Sequence, residues 1–126
     1  MAAPSMTFGA AGNVRASASL AASGTASYNL DYSAKLEGQV TVKNTPGGTV
    51  AATRGVRVEF LPRYGSTLAD TTIAVVSYTL PSAVASTAES RTFYVGTGKW
   101  VVKITNLDAT NAVTAEITDA TVDGIA

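Results

Sequence analysis

The chain has 126 residues, enough for one domain whose core holds together without crosslinks. It contains no Cys and no His, so no disulfide framework is available and the side chain most used for acid–base work near neutral pH is missing. Nine basic residues balance nine acidic ones and no basic run occurs, which leaves no general electrostatic attraction for nucleic acid.

No apolar run approaches the roughly 20 residues of a membrane-spanning helix, and no membrane partner is expected. Much of the apolar share is Ala and Val, interleaved with Thr and Ser, a composition that suits sheets. Residues 1–24 are rich in Ala, Ser and Gly, with Phe8 as their only aromatic residue and Arg15 as their only charge. A segment so poor in large apolar side chains does not order by itself. It reads as an extended or flexible N-terminal arm, in which Phe8 and Arg15 are the candidate contacts to a neighbouring subunit.

Period-2 alternation begins at Thr25. Ala26, Tyr28, Leu30 and Tyr32 fall on one face, with Ser27, Asn29 and Asp31 on the other. In the next run Leu36, Gly38, Val40 and Val42 point inward and Lys35, Glu37, Gln39, Thr41 and Lys43 outward, the pattern of a half-buried antiparallel strand. Asn44 to Gly48 supplies turn chemistry. Val56, Val58 and Phe60 form a third inward set that ends at Pro62. Residues 63–72 read as a loop carrying Tyr64, and residues 73–80 as a fourth strand that is apolar on both faces. A fifth strand spans 91–95, and Gly96-Thr-Gly98 reads as a hairpin turn into a sixth, where Trp100, Val102 and Ile104 face in. After a turn at 106–111, Val113, Ala115 and Ile117 define a seventh strand, long, weakly charged and open to pairing as an edge. Its alternation slips at 120–122, as at a bulge. Seven short strands with no helical period predict an all-β, antiparallel two-sheet sandwich over residues 25–126, centred on Trp100.

The candidate chemistry is thin. Lys35, Lys43 and Lys103 alternate outward and Lys99 borders a turn, so no lysine is desolvated for a Ser–Lys pair or for a crosslink to Asn. Glu37, Glu59 and Glu116 sit on outer faces, where carboxylates are the ordinary solubilising choice and make no acid–base pair. Asp108, Asp119 and Asp123, with Asn106 and Asn111, offer oxygen donors at a spacing that matches no calcium loop; Asp and Asn cap turns in such places. No catalytic residue, cofactor or metal is expected.

The stretch Thr97-Gly-Lys-Trp-Val-Val-Lys-Ile-Thr-Asn-Leu-Asp-Ala-Thr-Asn-Ala-Val-Thr, closing on Thr121-Val-Asp-Gly-Ile-Ala126, resembles the ends of small immunoglobulin-like structural proteins of tailed bacteriophages. The resemblance implies a seven-stranded immunoglobulin-like sandwich with an extended N-terminal arm. It also implies a capsid decoration (cement) or head/tail accessory subunit on the capsid surface or tail. Such a subunit is a homo-oligomer that packs on other virion proteins, the major capsid protein first among them. The alternative is a glycan- or receptor-binding module of a tail fibre or adhesin, which requires Tyr64, Tyr94 and Tyr32 to converge on one exposed face. Phe8, Arg15 and Tyr64 are the partner-binding candidates.

Overall fold

The fold is described from a computed structural model over residues 6–9, 11–52, 54–63 and 74–125. Among the described residues there are seven strands and no helix: β1 (Met6–Phe8), β2 (Gly12–Leu20), β3 (Thr25–Pro46), β4 (Val56–Pro62), β5 (Val76–Leu80), β6 (Glu89–Asn106) and β7 (Val113–Ile125). Every pairing is antiparallel.

Two of these strands are long enough to serve two sheets. Residues 37–46 of β3 lie between β7 and the first half of β6, and β2 and β1 flank β7 on its other side. Residues 25–32 of β3 pair with the second half of β6, which then pairs with β4, and β4 with β5. Counting each half separately, one sheet runs β2–β7–β3–β6 and the other β3–β6–β4–β5. This interlocked four-and-four order is that of a double-sheet jelly roll. It departs from the immunoglobulin-like order that the resemblance implies, in which strands divide four and three. One cluster joins the inner faces of both sheets: Val40, Val42 and Ile117 from the first, Val58, Phe60 and Ile104 from the second, all at most 1% exposed. Burying such a side chain stabilises the fold by roughly 1.5–3 kcal/mol.

Leu36 and Trp100 aside, the inward sets of β3, β4, β6 and β7 fall as the alternation places them, but the strand boundaries do not. Residues 25–32 and 36–43 are one strand, and the two strands expected on either side of Gly96-Thr-Gly98 are also one. No hairpin forms at Gly96–Gly98, because β6 crosses there from one sheet to the other. Opposite it, the ladder passes from Tyr32↔Gly98 to Glu37↔Gly96, so residues 33–36 of β3 bulge out against Thr97 alone. Asp31 starts the bulge by accepting hydrogen bonds from the Ser33 N–H and hydroxyl. Thr97 closes it with an Oγ1 bond of 3.0 Å to the Tyr32 carbonyl. Gly98 bends β6 at φ 119°, a value that L side chains rarely adopt. Leu36, expected inward, rides on the bulge and is exposed.

Inside this corner the Tyr32 ring lies directly on Gly38, where a Cβ would overlap the ring. Tyr32 is buried, and its hydroxyl donates to Asp119 Oδ2 of β7 at 2.8 Å. Burial, first, and then the Asp119 carboxylate hold the phenol well above its usual pKa, so it stays protonated as a donor.

The N-terminal segment is sheet where it is described. β2 pairs with residues 113–119 of β7 and β1 with 122–125, and Gly9 N–H reaches Thr121 O between them at 2.9 Å. β7 is therefore an interior strand and not the open edge that its composition suggests. Trp100 has the inward phase but is only partly buried, packed against the cluster rather than at its centre. Asn44, read as the start of a turn, is fully buried near the end of β3, where its Nδ2 donates to Ser82 Oγ at 2.7 Å and pins the loop before β6.

At the end of the sandwich away from the Tyr32–Gly38 corner, Asn106 and Asp108 fasten the β6–β7 turn. Asn106 Nδ2 lies within hydrogen-bond distance of the carbonyls of Leu20, Ala21 and Asn111, and its Oδ1 accepts from Asp108 N–H. Asp108 accepts from the Thr110, Asn111 and Ala51 N–H groups and from the Asn111 side chain. These bonds, the Thr110 N–H foremost, hold its carboxyl well below the usual carboxylate range.

Two outcomes follow. Gly38→Ala should destabilise the fold by about 1–3 kcal/mol through overpacking. That loss should shrink in a Tyr32→Leu background, as read by a denaturant double-mutant cycle. A carboxylate whose folded pKa is depressed stabilises the native state above its unfolded pKa of about 3.9. The thermal midpoint should therefore fall as pH drops below about 4, and Asp108→Asn should flatten that decline while lowering the midpoint at neutral pH.

Candidate functional site

The jelly-roll order leaves one flank open. Among the described residues, β5 pairs only with β4, and residues 89–96 of β6 pair only with β3, so two sheet edges face the same side of the sandwich. Between them lies a cleft of ≈ 180 Å³ lined by Phe60, Val75, Val76, Phe93, Tyr94, Val95, Gly96 and Trp100.

Each wall has a local cause. Phe60 and Val76 are cross-strand partners, and Val75 N–H bonds to Phe60 O at 2.9 Å, which holds the start of β5 against β4. Phe93 and Val95 point inward from the edge half of β6. Phe93 meets Phe60 at a ring separation of 5.3 Å and Tyr78 edge-on at 6.0 Å. Trp100 enters from beyond the corner, its indole N–H donating to Gly96 O at 3.0 Å, so the ring stands as the end wall. Val75 and Tyr94, at 63% and 69% exposure, form an apolar rim that no element of the described residues covers.

At the other end of the flank the two edges are bridged. Arg91 lies over the Tyr78 ring at 4.1 Å from its centroid, a cation–π contact between β6 and β5. The cleft therefore has an aromatic floor, an apolar rim and one cation at its border. No acid–base pair faces it. Its volume of ≈ 180 Å³ and its mainly apolar lining suit a single aromatic ring or branched aliphatic side chain.

The residues singled out from sequence lie elsewhere. Phe8 pairs across from Val122 on β1 and is 64% exposed, so it is available for contact but not part of the cleft. Arg15 is turned onto its own chain: it donates to Tyr28 Oη at 2.6 Å and to the carbonyls of Ala115, Ala18 and Ser19 around an irregular stretch of β2. Tyr64 lies outside the described residues. Tyr32 is buried, which leaves Tyr94 as the described member of the proposed aromatic platform that reaches solvent. Glu59 pairs with Arg57 at 3.2 Å, and Asp123 with Lys35 at 3.1 Å. Among the described residues no group of three or more acidic side chains is placed to hold a metal ion. The cleft residues carried one sequence signal, the run of residues 73–78 with apolar side chains on both faces. A strand whose second apolar face has no sheet to cover it exposes that face.

No family model matches the chain, and no curated protein is significantly similar to it. Among solved structures it is similar to one described as "CBM4 structure and function", with a TM-score of 0.43 and 13% identity. The match covers 84% of this chain and 66% of that one, so the chain spans slightly less than two thirds of its length.

Proposed function

We propose that this chain is a non-enzymatic structural protein of a tailed-phage virion, a capsid decoration or head/tail accessory subunit that stabilises the particle by protein–protein packing. It acts as a homo-oligomer on the capsid surface or tail, with the major capsid protein among its partners. The observation that carries the packing role is the open flank: two sheet edges unpaired among the described residues, enclosing an aromatic-floored cleft with Val75 and Tyr94 exposed on its rim. The virion address follows the resemblance of residues 97–114 and 121–126. Jelly rolls serve in viral capsid domains, which supports that address by analogy of fold.

Jelly rolls serve in lectins too, and a glycan- or receptor-binding module is the second reading. What favours it is the solvent-facing Tyr94 beside the part-exposed Trp100, since an aromatic face stacks on a sugar ring as readily as on a side chain.

Size-exclusion chromatography with light scattering should give a discrete closed oligomer that attaches to particles lacking it. Tyr94→Ala should leave stability within about 0.5 kcal/mol while weakening attachment about tenfold or more. A strict monomer that ignores such particles and binds glycans through Trp100 would contradict the proposal and favour the second reading.

A further inference from the structure

Arg91 has more to do than bridge two edges. It is exposed, and the ion pairs of the described residues, Lys35–Asp123 and Arg57–Glu59, lie elsewhere. Its guanidinium is held by ring faces alone, 4.1 Å from the Tyr78 centroid and 5.7 Å from that of Phe93, so its five N–H donors stay open to a partner. Phe93 also lines the cleft, which makes cation and cavity parts of one surface.

The spacing of that surface is fixed by the strand. Arg91 and Val95 share the inward phase of β6, four residues and about 13 Å apart. Between them no strand of the described residues pairs with the outer edge of residues 89–96, so alternate residues offer N–H and C=O groups to an added chain. Glu89, on the same face two residues before Arg91, repels an acid placed farther along and so confines it to the position opposite Arg91.

Resting on the packing role proposed above, we infer that this flank receives an extended segment of a partner protein by strand addition, antiparallel to residues 89–96. An aromatic or branched aliphatic side chain of that segment fills the cleft. An Asp or Glu four residues C-terminal to it, hence on the same face, meets Arg91. Residues 89–96 of a second copy do not supply that pattern, because Phe93, Tyr94 and Val95 are followed four residues later by Thr97, Gly98 and Lys99 and not by an acid.

Trp100 is the single tryptophan of the chain and stands in the cleft wall, so its emission reads occupancy directly. The probe is the peptide acetyl-Lys-Thr-Phe-Thr-Val-Thr-Asp-Thr-Lys-amide, free of Trp and Tyr, titrated into the intact chain. The expected result is a saturable shift of Trp100 emission. Replacing the peptide's Phe by Ser or its Asp by Lys should weaken binding by about tenfold. Arg91→Glu, with its fold checked by circular dichroism, should reverse the preference in favour of the Lys peptide; Arg91→Gln takes its place if that variant unfolds and should abolish the preference.

The inference is overturned by no saturable shift, by an equal response to the Ser peptide, by an order of peptides unmoved by Arg91 substitution, or by a shift produced by neutral hexose oligosaccharides instead. A concentration-dependent shift without peptide would also overturn it, by assigning the flank to a second copy. A closed oligomer with no peptide response removes this inference and leaves the packing role standing, whereas peptide binding by a monomer that ignores particles removes the packing role alone.

Discussion

The contact between the Tyr32 ring and Gly38 is what the rest of the structure depends on. β3 and β6 each belong to both sheets, so the sandwich exists only if both strands bend at the same level. The bulge at residues 33–36 lets β3 turn, Gly98 lets β6 turn with it, and Tyr32 then folds over Gly38 to fill the inside of the bend. The hydrogen bond from Tyr32 to Asp119 ties the corner to β7, the interior strand of the first sheet. A side chain at Gly38 would push the ring away, and the two sheets would lose their common angle. Bulges and glycines at sheet corners are the general means by which β-structures change direction.

The open flank follows from that corner. Because β6 crosses between sheets, its second half is buried between β3 and β4, while its first half, among the described residues, has β3 on one side only. The bend also carries Trp100 to the mouth of the sandwich, where the indole bonds back to Gly96 and walls the cleft. Phe60 and Phe93 thus have two roles: they close the core from within and make the cleft floor from without. Apolar walls, an unpaired ladder and a cation held by aromatic faces form a surface suited to packing and recognition, which is why the functional reading rests there and not on a reacting group.

Much of the fold was legible in the sequence, and the failures have physical reasons. Alternation gave the correct inner faces at Val40 and Val42, Val58 and Phe60, Val102 and Ile104, and Ala115 and Ile117, because burial on one side of a strand enforces period 2. It misjudged where strands end. Ser33 to Leu36 breaks the pattern as a turn would, and Gly96-Thr-Gly98 has turn chemistry, but pairing between distant segments made both into bends. β2 left almost no apolar signature because most of its side chains, including those of residues 16–19, face solvent, and its order comes from backbone pairing to β7. The site was less legible still. Tyr94 and Trp100 were visible as aromatics, yet nothing local says that residues 75–76 and 93–96 face each other across an open flank, and Arg15 had no signal to show that it would bond to its own strand.

Among the described residues, β6 is an edge strand in one sheet and an interior strand in the other. Residue-resolved amide hydrogen exchange on the isolated chain reads this without a partner. An edge on one side and a neighbour on each side beyond the bend should give protection at every second amide along residues 89–96 and at all amides along 100–106. Uniform protection along 89–96 in the isolated chain would mean that the edge is already covered, and would contradict both the topology and the docking surface built on it.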